Sequence, residues 1–113
     1  MKMDEAPIFI RAYDLHGWLL DRIGSAAKSP EVGRAVLHHS RALLETVSLA
    51  LSRFDTQGRL IEADEHATLL RVHLRLARDK ELLSDRQLVY ANGELRDVGR
   101  QIGGWLRRLE TVK

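Results

Sequence analysis

Arginine is the residue of this chain whose number and spacing could do chemistry. Of the 18 basic residues, 14 are arginine. Arg71, Arg75 and Arg78 fall at i, i+4 and i+7 and share one face of a helix. Arg96, Arg100 and Arg107 share a face of a second segment. A guanidinium is a planar fork that matches phosphate, where lysine offers only a point charge. Six guanidiniums on two adjacent helices would form a patch for a nucleic-acid backbone. Few aromatic side chains look exposed for stacking on bases, so the expected binding is backbone-driven and weakly sequence-specific. The competing reading gives the same arginines to salt bridges with Asp79, Asp97 and similar carboxylates.

The second group carries three glycines inside a helical rhythm. Leu95, Val98, Ile102 and Leu106 recur three or four apart, yet Gly99, Gly103 and Gly104 lie between them. Each glycine costs a helix roughly 1 kcal/mol relative to alanine. Gly99 and Gly103 have the small-xxx-small spacing that lets another backbone approach. Trp105 beside them and Trp18 near the N-terminus are the further candidates for a subunit contact or close helix packing; Trp18 reads equally well as an edge-of-core aromatic.

Other chemistries find no pattern. There are no cysteines, hence no disulfide or thiolate site. Helical dimetal sites use Glu-x-x-His pairs, and none occurs. His38 and His39 are adjacent and diverge by about 100° on a helix, while His66 and His73 lie two turns apart. The histidines are therefore expected at the surface or the core edge, with no metal and no cofactor. No serine sits in a nucleophile elbow, and no glycine-rich loop follows a strand. An enzyme is not expected.

The elements that must position these residues are helices. The chain has 113 residues, 44% of them hydrophobic and 30% charged, which suits one domain with a modest core. There is no apolar run long enough for a membrane span. The N-terminus lacks the apolar stretch of a signal peptide, so a cytoplasmic location is expected. Net charge is +2. Residues 1–65 hold 8 basic and 10 acidic groups, residues 66–113 hold 10 and 6, so the C-terminal half is the one suited to an anionic partner.

Four amphipathic segments are predicted, at about residues 7–23, 30–54, 59–81 and 85–109. The first has Pro7 in its first turn and a stripe of Ile8, Ala12, Leu15, Leu19 and Ile23. The second starts behind Ser29 as N-cap and carries Val36, Leu43, Val47, Ala50 and Phe54 on one face, with Leu37, Leu44 and Leu51 on another. The third has a seam of Leu60, Ala63, Ala67, Leu70, Leu74 and Ala77. The fourth opens on Ser84 and Gln87, the spacing of a capping box, with Leu83 and Leu88 as a hydrophobic staple. Leu88, Ala91, Leu95, Val98, Ile102, Trp105 and Leu109 form its seam. Short connections between four such segments predict an all-α, up-down-up-down four-helix bundle.

Several stretches resemble one family. Leu70-Arg-Val-His-Leu-Arg-Leu-Ala77, Leu82-Leu-Ser-Asp-Arg-Gln87 and Val98-Gly-Arg-Gln-Ile-Gly-Gly-Trp-Leu106 are similar to the accessory variability determinant (Avd) proteins of diversity-generating retroelements. Tyr13-Asp-Leu-His-Gly-Trp-Leu-Leu20 resembles that family's first helix, and Arg34, Leu37 and Arg41 its second. The resemblance covers roughly residues 9–109. It implies a four-helix bundle assembled as a homopentameric barrel with a basic surface and no catalysis of its own. It implies as partners the element's reverse transcriptase and template RNA with its cDNA, in mutagenic retrohoming. Bundles encoded in intervening sequences of ribosomal RNA genes are the near alternative, with no nucleic-acid role of their own. The chain departs from the family pattern at the Ala26–Glu31 connection, which lacks an aromatic-proline and basic cluster. It departs also at His38, at the Val72-His73 pair and at Asp97.

Overall fold

A computed structural model of the protein describes residues 2–24 and 28–111. Residues 26 and 27 of the Ala26–Glu31 connection lie outside the described set. A short 3-10 turn, Met3–Glu5, precedes four helices: α1 (Pro7–Ile23), α2 (Pro30–Leu51), α3 (Thr56–Asp79) and α4 (Asp85–Thr111). No strand occurs among the described residues. The helices pack in a ring, α1 on α2, α2 on α3, α3 on α4 and α4 back on α1, with α2–α3 the broadest contact. The result is an elongated four-helix bundle, 48 × 21 × 21 Å. No described helix is long and apolar enough to cross a membrane.

The core follows the predicted stripes. Ile8, Ala12, Leu15, Leu19 and Ile23 of α1 are buried, as are Val36, Leu43, Val47 and Ala50 of α2. All six seam residues of α3 are fully buried, and Leu88, Ala91, Leu95, Val98 and Ile102 close the fourth side. Burying each large aliphatic side chain contributes about 1.5–3 kcal/mol, which is why these stripes fix the arrangement. Trp105 and Leu109 complete the α4 seam as half-buried residues at the bundle end.

The start of α4 is capped as the sequence predicts. The Gln87 N–H donates to Ser84 Oγ at 3.1 Å, and the Ser84 N–H donates to Gln87 Oε1 at 2.9 Å. Leu83 and Leu88 are both buried beside it.

Other boundaries differ. α2 stops at Leu51, so Phe54 lies past its end and is exposed rather than on the core face. α3 begins at Thr56, not at 59, behind Asp55, whose carboxylate accepts the Gly58 N–H. A side-chain Cβ at Gly58 would collide with the Asp55 carboxylate, so the glycine makes room for the cap. α3 ends at Asp79 and α4 runs on to Thr111. Both α2 and α3 end in the same hydrogen-bonded turn. The Arg53 N–H bonds to Ala50 O and the Phe54 N–H to Leu49 O; the Glu81 N–H bonds to Arg78 O and the Leu82 N–H to Ala77 O. This is the Schellman pattern, which needs a left-handed residue after the helix. Here that residue is Arg53, with φ 65°, or Glu81, with φ 64°, where glycine is usual. Ser29 stands before α2, but its φ is 48° and its hydroxyl makes no cap; its carbonyl instead accepts the Val32 and Gly33 N–H groups.

Candidate nucleic-acid interface

The helical spacing of Arg71, Arg75 and Arg78 puts all three on the flank of α3 that meets α4. With Arg96, Leu88 and Asn92 of α4 they line a groove of about 370 Å³. Arg71 reaches across it: Nη2 donates to the Leu95 carbonyl at 3.3 Å. A Cβ at Gly99 would lie 3.2 Å from that same Nη2, tighter than an ordinary contact. Gly99 therefore gives the guanidinium its seat against the α4 backbone. Among the described residues, no carboxylate lies within 4.0 Å of Arg71, Arg75 or Arg96. Asn92 Oδ1, in the same groove, is buried without a hydrogen-bond partner.

Arg78 differs. Its Nε lies 3.0 Å from Asp79 and its Nη1 3.3 Å from Asp85. These hydrogen bonds, with Asp79 first, raise its pKa above the ordinary arginine value. The groove thus holds four guanidiniums, one already engaged by carboxylates.

The six arginines do not form one patch. Arg100 bonds to Asp97, and Asp97 also takes Arg11 Nε at 2.9 Å and Gln101 Nε2 at 3.0 Å. Arg11 continues to Glu94 at 2.7 Å, and this hydrogen bond is the main cause of its raised pKa. The cluster clips α1 to α4, a role that the spacing of Arg100 alone does not reveal. Arg100 also lines a second groove, at the bundle end, of about 470 Å³ with Pro7, Leu51, Gly104, Trp105 and Arg108. Arg107 is exposed, and its Nη1 would lie 3.5 Å from a Cβ at Gly103.

The glycines have separate settings. Within the described chain no helix backbone approaches Gly99, Gly103 or Gly104; the nearest groups are the ends of Arg71, Arg107 and Arg108 side chains. Among the described residues, a close approach of another helix backbone within the bundle is therefore not what these glycines serve. Trp18 is half-buried at the α1–α4 edge, 4.9 Å from the Tyr90 ring, with the Arg22 guanidinium 4.5 Å over its face. Trp105 packs on the core where the bundle-end groove opens.

The histidines are exposed or half-buried, at the surface and core edge as expected, but α2 and α3 bring several of them together. His39 Nδ1 and His66 Nδ1 lie 3.0 Å apart, and His38, His39 and His66 each offer a nitrogen within 4.8 Å of the others. Spacing within one helix does not show this contact; the α2–α3 packing brings together residues 27 positions apart. Burial, reinforced by His38, His66 and His73, lowers the His39 pKa. His16, bonded to Ser40 Oγ at 2.7 Å, is lowered by burial and by Arg41, against a smaller opposing effect of Glu45.

No protein-family model, curated protein or solved structure matches this chain.

Proposed function

We propose that the protein is a non-catalytic accessory protein of a diversity-generating retroelement, cytoplasmic, binding template RNA or cDNA and the reverse transcriptase through a basic surface. The observation that carries the reading is the α3–α4 groove, where Arg71, Arg75 and Arg96 stand without carboxylate partners among the described residues. Guanidiniums spaced along a groove present N–H forks to successive phosphates, and binding of this kind needs no base contacts. The resemblance of the Leu70–Ala77 and Val98–Leu106 stretches to the Avd proteins supplies the partner. It also supplies the proposed homopentamer. An unpartnered apolar strip on α3 supports self-association: Ile61, Leu69, Val72 and Leu76 are each 38–55% exposed.

A second reading draws on Arg78 and Arg100, both already held by carboxylates. It makes the protein a structural bundle of the ribosomal RNA intervening-sequence type. Fluorescence anisotropy of a labelled single-stranded RNA separates the two. The first reading expects saturable binding that is weakened by Arg71→Ala/Arg75→Ala/Arg96→Ala, with an unchanged helical circular dichroism spectrum. Wild-type binding no better than that of a neutral control protein would leave only the second.

A further inference from the structure

Four imidazoles meet where α2 packs on α3. The ring centroids of His39 and His66 are 5.3 Å apart, those of His38 and His39 4.9 Å, and His73 stacks on His39 at 5.3 Å with an interplanar angle of 17°. Among the described residues none of the four is bonded to a carboxylate, and His73 Nδ1 is buried with no partner at all. The cluster is rich in nitrogen lone pairs and has no anion to hold protons on it.

The contact between His39 Nδ1 and His66 Nδ1 at 3.0 Å sharpens this. Two N–H groups cannot face each other at that distance. Either one proton is shared, or both lone pairs point at one cation. Zinc binds histidine nitrogen at about 2.0–2.1 Å, which places two tetrahedral ligands about 3.3 Å apart. The His39–His66 spacing is close to that edge. His38 offers the third nitrogen, within 4.8 Å of the other two, on an exposed side chain. Imidazole suits zinc and its neighbours in the transition series, and a neutral three-histidine set is an established zinc environment.

We propose that His38, His39 and His66 form a three-imidazole site for a divalent transition metal, of which zinc is the test case. The ion cross-links α2 to α3, and its fourth position faces solvent on the His38 side. The site is separate from the arginine groove on the other flank of α3, and stands or falls independently of nucleic-acid binding.

The test uses the untagged full chain, stripped with a chelator and titrated with zinc chloride by calorimetry, with cobalt(II) absorption as a second readout. One ion per chain is expected, with the visible bands of tetrahedral cobalt. Loss of a residue that merely orients a ligand costs about 10–100-fold in affinity, so His38→Gln and His66→Gln should each weaken zinc by about 100-fold or more. His16→Gln, whose ring bonds Ser40 Oγ and stands outside the three-histidine set, should change it by less than about threefold. His38 is exposed, so His38→Gln keeps the fold and decides the matter even where His39→Gln or His66→Gln does not fold. No saturable zinc heat, zinc binding unaltered by His38→Gln and His66→Gln, or one ion shared by two or more chains would each overturn the proposal.

Discussion

Replacing the α4 glycines one at a time by alanine tests whether Gly99 seats Arg71. An interior glycine costs a helix about 1 kcal/mol relative to alanine, so alanine stabilises wherever there is room for a Cβ. Nothing lies within 4 Å of a Cβ at Gly93, and at Gly103 the nearest atom is 3.5 Å away, an ordinary contact. Each of these alanines should therefore add about 1 kcal/mol in the isolated chain, or roughly 3–6 °C in Tm for a chain of this length. At Gly99 the new methyl meets Arg71 Nη2 at 3.2 Å, so a guanidinium bonded to the Leu95 carbonyl must give way by a few tenths of an ångström and strain that bond. That bond contributes about 0.5–1.5 kcal/mol, so Gly99→Ala should gain close to nothing. In an Arg71→Ala background the full gain should return, giving a coupling of about 0.5–1.5 kcal/mol in a double-mutant cycle followed by thermal melts. A Gly99→Ala variant stabilised as much as Gly93→Ala, with Arg71 in place, would refute the seating. Gly103→Ala adds a second result: if the assembly packs another backbone there, the oligomer weakens while the chain itself is stabilised.

Two further outcomes follow from the helix ends and the histidines. Arg53 carries φ 65° at the end of α2, a conformation costing a non-glycine residue about 1–2 kcal/mol, so Arg53→Gly should raise stability by about 0.5–1 kcal/mol in a denaturant melt; a loss would contradict the Schellman assignment. His39 is held below its ordinary pKa mainly by burial, so the unfolded chain takes the proton first. Its contribution is complete above about pH 6.5 and is lost as the pH falls toward the folded value. His39→Gln should therefore flatten the fall of Tm between about pH 7 and 5, and an unchanged slope would show that the burial has no such effect.

What was legible in the sequence was what repeats along one helix. The α1 stripe, the α3 seam and the α4 seam each follow a 3–4 rhythm, and burial drives each to the core. The Ser84–Gln87 box was legible because both partners sit three residues apart on one strand of chain. The ends of α2 and α3 were not. Their left-handed cap positions hold Arg53 and Glu81, and no side-chain type announces a positive φ the way glycine does. Neither was the division among the arginines. Arg100 shares a helix face with Arg96, but its partner Asp97 is held in turn by Arg11 from α1, 86 positions earlier in the chain. The His39–His66 contact is likewise a product of the register between two helices, which neither helix encodes alone.

The salt dependence of RNA binding tests the proposed function most directly. Each phosphate neutralised on a single strand contributes about 0.7 to the slope of log K against log salt, so three guanidiniums contribute about 2. The advantage of the wild-type chain over Arg71→Ala/Arg75→Ala/Arg96→Ala should then shrink roughly 20-fold between about 50 and 200 mM salt. Arg78→Ala, whose guanidinium already holds Asp79 and Asp85, should alter the slope by less than one such contact. Parallel salt plots for the wild type and the triple variant would contradict the assignment of the α3–α4 groove to nucleic acid.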